Sequence, residues 1–108
     1  MDEAVRNAEE LFTRLLEARS LITYRGAFGS IFGHVPERWS QAHARRVVAV
    51  ATRTDRRRLT RSLSGRLDAL IVNKKQGVPS AGHFEVAAYT KEDWQEAFRG
   101  WSRTDRPL

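Results

Sequence analysis

Cysteine is absent from this 108-residue chain, and several classes of protein are excluded with it. Without a thiol the chain can form no disulfide scaffold, no cysteine nucleophile and no cysteine-ligated zinc or iron–sulfur site. The sequence also lacks an apolar run approaching the roughly 18 residues that a membrane span requires. We therefore expect a cytoplasmic protein with no membrane association, no metal and no cofactor.

Negative charge is scarce in the middle of the chain. Nineteen Lys and Arg oppose 13 Asp and Glu, so the net charge is +6. Residues 34–75 hold eleven basic and three acidic residues, so the whole positive excess lies in this block. Sixteen of the basic residues are Arg, whose planar guanidinium donates bidentately to phosphates and base edges. Such a concentrated positive block attracts a polyanion.

Hydrophobic periodicity predicts helices at both ends of the chain. Residues 2–19 carry an apolar stripe at helical spacing, and Thr90 is placed to cap a last helix with Asp93 three residues on. After the first helix comes the short β-favouring segment Leu21–Tyr24, from which Thr23 could cap a second helix over 25–33.

Pro36 fits the first turn of a third helix, predicted over residues 36–56. One side of this helix is apolar around Val47 and Val50, and the other is almost purely cationic. The polar face comprises Arg38, Gln41, Arg45, Ala49, Thr52 and Arg56, with Arg46 and Arg53 flanking it. No acid lies between Glu37 and Asp55. Unpartnered like charges destabilise a helix modestly, and a polyanionic ligand would offset that cost.

A strand pair is predicted after a basic, polar loop over residues 56–66. Residues 67–73 suggest a buried strand, residues 74–82 a turn with Gly and Pro, and residues 83–87 the returning strand. Lys74 and Lys75 would stand at the tip. With the helices, this pattern predicts a small α+β domain spanning residues 1–108, with a winged-helix-like arrangement and a short β-hairpin.

This order of elements resembles that of winged helix-turn-helix proteins, in which the third helix lies in the major groove and a hairpin wing touches the backbone. Residues 22–24, the short helix after them and residues 44–47 are similar to the DNA-binding half of alkylguanine-DNA alkyltransferases and alkyltransferase-like proteins. That resemblance implies a DNA-binding architecture. The Pro-Cys-His-Arg motif of that family has no counterpart, so alkyl transfer is not implied. Residues 70–79 also resemble a stretch of small uncharacterised bacterial and prophage proteins.

The resulting hypothesis is a non-enzymatic protein that binds nucleic acid, in particular duplex DNA. The predicted contacts are Arg38, Gln41, Arg45, Arg46, Arg53, Arg56, Arg57, Arg58, Lys74 and Lys75. Most would neutralise phosphates, and Gln41 or one arginine would reach a base edge. The structural alternative is an ordinary solvated basic face, with the two lysines protecting a strand end from aggregation.

Two other functions remain open. The basic face would also suit a phage or mobile-element interaction module, or an inhibitor, that docks on an acidic protein. A small metal-dependent nuclease would recruit Asp68, His83 and Glu85 around a metal ion. Against that reading, the three histidines are far apart and show no metal-ligand spacing.

The three tryptophans divide into two groups. Trp94 and Trp101, with Phe98 between them, fit a hydrophobic core or the seam of a homodimer. Trp39 borders the cationic face, so it is the tryptophan most suited to stacking on an unpaired base.

Overall fold

The computed structural model describes residues 2–56, 65–80, 83–84 and 89–108. The described elements are α1 (Glu3–Ala18), β1 (Ser20–Thr23), α2 (Tyr24–Phe32), α3 (Gln41–Arg56), α4 (Leu67–Leu70), β2 (Ile71–Val72), α5 (Lys91–Ala97) and β3 (Ser102–Thr104). Helices and a small sheet share the chain, so the predicted α+β class is confirmed. No helix in the described part is long and apolar enough to cross a bilayer.

Local capping signals set the beginnings of three helices, two of which, at Thr23 and Thr90, were predicted. The Asp2 carboxylate accepts the Ala4 N–H at 2.9 Å and begins α1. The Thr23 hydroxyl accepts the Gly26 N–H at 3.2 Å and begins α2. At α5, Thr90 and Asp93 form the reciprocal capping box. Each cap satisfies backbone donors that the first helical turn leaves unpaired.

The three described strands form a parallel sheet in the order β2-β1-β3. Ile22 of the central strand lies opposite Ile71 of β2 and opposite Thr104 of β3. Parallel pairing requires crossover connections, and α2 to α4 supply the one between β1 and β2. Ile22 and Ile71 are both buried, so the sheet lies inside the core.

The predicted strand over residues 67–73 is wrong in its first half. Leu67–Leu70 is helical, and only Ile71–Val72 is a strand. The reason is a long-range contact, because the Asp55 carboxylate accepts the N–H groups of Leu67 and Asp68 at 2.8 and 3.0 Å. These are the orphan donors of a first helical turn, so Asp55 supplies the cap of α4 from another helix.

The predicted hairpin is also absent from the described strands. β2 pairs with β1 in parallel, whereas a hairpin would pair it with the following segment. His83 and Phe84 are helical, and residues 85–87 lie outside the described part of the chain.

The hydrophobic core draws on α1, α2, α3, the α4–β2 segment and α5. Its largest fully buried side chains include Phe28, Leu11 and Leu70. Trp94 and Phe98 are each 4% exposed, and the Trp94 indole N–H donates to the Ala69 carbonyl at 2.8 Å. The core reading of these two aromatics is therefore confirmed. The homodimer stays a prediction.

Candidate nucleic-acid interface

Helix α3 begins at Gln41, five residues later than Pro36 suggested. The Ser40 carbonyl accepts the N–H groups of His43 and Ala44, and the Ser40 N–H donates to His43 Nδ1 at 3.1 Å. Serine is a favoured N-cap, and the bond from its N–H to the side chain three residues on is one half of a capping box, with His43 in place of the usual Glu. Arg38 consequently lies in the irregular segment ahead of the helix, not on its wheel, and is exposed there.

The two faces of α3 are divided as predicted. Val47, Val50 and Ala51 are buried. The opposite face is exposed at Gln41, Arg45, Ala49 and Arg56. Asp55 is only 9% exposed and is occupied by backbone amides, so it places no carboxylate on the cationic face. This outer surface, defined by Gln41, Arg45, Ala49 and Arg56, is the α3 cationic face.

The two flanking arginines have partners within the protein. The Arg46 guanidinium lies 4.3 Å from the ring centroid of Phe32 and 5.3 Å from that of Phe28. Arg53 forms a 2.7 Å ion pair with Asp2, with both side chains largely exposed. An exposed pair of this kind contributes at most about 1 kcal/mol, so Arg53 can exchange it for a phosphate. The cation–π contact holds the Arg46 side chain at the edge of the hydrophobic core.

Lys74 and Lys75 lie in a closed turn over residues 73–78. The Asn73 side-chain oxygen accepts the Lys75 N–H at 2.8 Å, which is an Asx turn. The Asn73 carbonyl accepts the Gly77 N–H at 2.8 Å, and Asn73 N–H donates to the Val78 carbonyl at 2.7 Å. Gly77 has φ of 69°, a left-handed conformation that favours glycine. The turn predicted at this position is confirmed.

One cleft of about 720 Å³ lies between this turn and α3. Four predicted contacts line it: Gln41 and Arg45 from the helix, and Lys74 and Lys75 from the turn. Residues about thirty positions apart in the chain thus share one surface, which we call the basic cleft.

Other predicted contacts lie elsewhere. Arg38, Arg46, Arg53 and Arg56 do not line the basic cleft. Arg56 is exposed at the far end of α3, and Arg57 and Arg58 fall outside the described residues.

Three ionisable residues of the cleft were not predicted as contacts: Tyr24, Arg25 and Asp105. Tyr24 and Arg25 form the first turn of α2. The Tyr24 hydroxyl accepts the Ser80 N–H at 3.2 Å, so its ring is fixed against the chain that follows the turn. Arg25 adds a cation from outside the basic block of residues 34–75, which is why the charge count did not identify it.

Asp105 is the one carboxylate among the described residues that line the cleft. It accepts the Thr23 hydroxyl at 2.5 Å and pairs with Lys74 Nζ at 3.3 Å. The hydrogen bond from Thr23, aided by Lys74, lowers the pKa of Asp105, so the group is ionised at neutral pH. Four basic residues line the same cleft as this single carboxylate: Arg25, Arg45, Lys74 and Lys75. The cleft is therefore strongly cationic.

Close packing holds Asp105 in place. A methyl group at Gly26 would stand 3.1 Å from the Asp105 backbone and 2.9 Å from Ile22 Cγ1. Only glycine lets the segment after β3 lie so close to α2. The Leu108 N–H then donates to Ser30 Oγ at 2.8 Å, which anchors the rest of this segment.

A separate polar cluster surrounds α4. Arg66 donates two hydrogen bonds to Asp68, at 2.9 and 3.1 Å, and His83 Nε2 lies in hydrogen-bond contact with the Tyr89 hydroxyl. Burial lowers the pKa of His83 and raises that of Tyr89, which keeps both neutral at pH 7.

The nuclease reading needed Asp68, His83 and Glu85 around a metal ion. Glu85 is outside the described residues, and among those described no group of three His, Asp or Glu could hold a metal. Asp68 is already occupied by Arg66. The described geometry therefore offers no observation that favours this reading.

Comparison of the chain with protein-family models, with curated proteins and with solved structures gives no match.

Proposed function

We propose that this protein binds nucleic acid, in particular duplex DNA, without catalysing a reaction. The observation that carries the proposal is the basic cleft, in which Gln41 and Arg45 meet Lys74 and Lys75. In this arrangement α3 enters the major groove, as in winged helix-turn-helix proteins, and the turn over residues 73–78 takes the place of the wing on the adjacent backbone.

The dimensions of α3 suit this role. Its 16 residues span about 24 Å, and Arg45 and Arg56 stand about 16 Å apart along its axis. Both side chains are exposed and can reach phosphates on the groove walls. Gln41, at the N-terminal end, is placed for a base edge, where a side-chain amide pairs with adenine. Small Ala49 between the arginines permits close approach.

Charge supports the same conclusion. No carboxylate from Asp55 reaches the α3 cationic face, and within the described chain no ion pair occupies Arg45, Arg56 or Lys75. Binding about five phosphates would give a log–log salt slope of roughly −4.5 on a duplex.

The test is fluorescence anisotropy with a labelled duplex of about 25 base pairs and the matched single strand, over a series of salt concentrations. We expect duplex to be preferred and the salt slope to be steep. The double variant Arg45→Glu/Lys75→Glu should lose binding at least a hundredfold, because each reversal replaces an attraction by a repulsion.

The matched control is Arg6→Glu/Arg14→Glu. It changes the net charge equally, but both positions are exposed on α1, which lines no part of the cleft. Equal loss in both variants would show nonspecific charge attraction and overturn the assigned face. Absence of duplex binding at low salt would overturn the proposal. An acidic protein would then be the expected partner of the basic face.

A further inference from the structure

The basic cleft has an apolar wall, which phosphate binding does not require. Its volume of about 720 Å³ falls within the range of small-molecule sites, roughly 300–1,000 Å³. Trp39 and Val48 are 36% and 43% exposed, and both line it. A duplex presents its backbone as a convex surface, so it would leave this concave apolar wall unfilled. This wall is suited to binding a planar apolar group.

Trp39 is held rigidly enough to receive such a group. Its indole stacks on the His43 ring, with centroids 5.4 Å apart and planes at 25°, and it meets Phe28 edge-on at 5.7 Å. His43 is itself fixed by Ser40. Because these contacts restrict the indole before any ligand arrives, stacking loses little side-chain entropy.

Cations surround the apolar wall. Arg45 stands on α3 beside Val48, Arg25 belongs to α2, and Lys75 lies in the turn opposite. No ion pair occupies any of these three in the described part of the chain, whereas Lys74 is already paired with Asp105. A planar ring with a phosphate attached matches this combination of an aromatic wall and unpaired cations.

We propose that the basic cleft binds a single nucleotide, with the base against Trp39 and the phosphate among Arg25, Arg45 and Lys75. The nucleotide comes either from an unpaired strand end or from solution as a free mononucleotide, since both present the same base and phosphate. The strand-end source rests on the proposed nucleic-acid function and deepens it. A strand end bound in this way leaves the adjoining duplex to the part of α3 beyond the cleft, toward the exposed Arg56.

The experiment compares a blunt duplex with the same duplex carrying one unpaired adenine at its 5′ end, by anisotropy. Adenosine monophosphate and ribose 5-phosphate are titrated in parallel by calorimetry. We expect the overhang to tighten binding about tenfold, the effect of stacking one base on an aromatic ring. Adenosine monophosphate should bind and ribose 5-phosphate should not.

Three variants locate the effect. Trp39→Ala should abolish the overhang preference and leave blunt-duplex affinity within about twofold. Trp39→Phe should restore most of the preference, because it keeps an aromatic ring. Trp101→Phe, outside the cleft, should change neither quantity. Thermal melts of all three show whether each is folded. If Trp39→Ala is not, the comparison of adenosine monophosphate with ribose 5-phosphate on the wild type carries the test.

The outcomes separate the two proposals. Equal affinity for blunt and overhang duplexes, with a steep salt slope and no nucleotide binding, overturns the nucleotide site and leaves the proposed function standing. Binding of adenosine monophosphate without any duplex binding supports the site, identifies solution as the source and overturns the proposed function. Equal binding of ribose 5-phosphate overturns the role of Trp39. Failure of every ligand overturns both proposals.

Discussion

Asp105 and Thr23, 82 positions apart in the chain, are joined by a 2.5 Å hydrogen bond from the Thr23 hydroxyl to the Asp105 carboxylate. The same hydroxyl accepts the Gly26 N–H and caps α2. Asp105 also pairs with Lys74 across the basic cleft. One carboxylate therefore links the start of α2, the chain after β3 and the lysine turn, and it limits the positive charge of the candidate site.

Asp105→Asn should strengthen nucleic-acid binding. It removes the carboxylate of the cleft and releases Lys74, while the amide oxygen can still accept from Thr23. One unit charge near a phosphate is worth about 1 kcal/mol, so we expect the duplex Kd to fall about fivefold at low salt. Unfolding should cost about 1 kcal/mol less, because a charged hydrogen bond becomes a neutral one.

Anisotropy and urea unfolding measure these two effects. Glu17→Gln is the control, since it makes the same change in net charge on the exposed side of α1. An equal gain of affinity in this control, or no gain in Asp105→Asn, would contradict a role for Asp105 in the cleft.

Stability should fall as pH rises through the titration of Asp55. Burial raises the pKa of this carboxyl from 3.8 to about 6, although hydrogen bonds from Leu67 and Asp68 oppose the rise. The native state therefore binds this proton more tightly than the unfolded state does. Its stabilising effect is complete below pH 3.8 and is lost as pH rises through about 6, a change of about 3 kcal/mol.

Urea unfolding of the wild type and of Asp55→Asn across this pH range isolates the contribution. His83 gives a slope of opposite sign, because burial lowers its pKa, but it is present in both proteins and cancels in the difference. The variant is less stable overall, as it loses one acceptor for the α4 amides. Parallel pH profiles for the two proteins would refute the assignment.

Gly26→Ala should destabilise the fold. Alanine is a better helix former by about 1 kcal/mol, so on propensity alone the change would stabilise α2. The new methyl group would stand 2.9 Å from Ile22 Cγ1 and 3.1 Å from the Asp105 backbone. Such overpacking costs about 1–3 kcal/mol, and we expect a net loss of about 1 kcal/mol and a Tm lowered by several degrees.

Differential scanning calorimetry measures the change. Arg25→Ala, at the exposed neighbouring position, serves as control and should leave Tm almost unchanged. A rise in Tm for Gly26→Ala would mean that the chain after β3 does not pack against α2 as described.

The sequence by itself determined the features that depend on neighbours along the chain. Asp2, Thr23 and Thr90 cap the first turns that follow them, because the donor and acceptor lie within three residues of each other. The apolar and cationic sides of α3 follow from the 3.6-residue period. The turn at Lys74 and Lys75 follows from Asn73 and Gly77, whose conformational preferences are local.

Tertiary structure decided everything that joins distant residues. The Asp55 carboxylate makes a helix of Leu67–Leu70, where an apolar run alone predicts a strand. β3 is polar, and it is too short to show the alternation of apolar and polar residues that predicts a strand. It forms a strand because it pairs with the free edge of β1. Asp105 reaches the basic cleft through the packing of the last residues on Gly26, and Arg25 reaches it because α2 packs beside α3. Periodicity and charge counts carry no information about such contacts, because the free energy of a long-range contact is shared between two elements and is encoded in neither one alone.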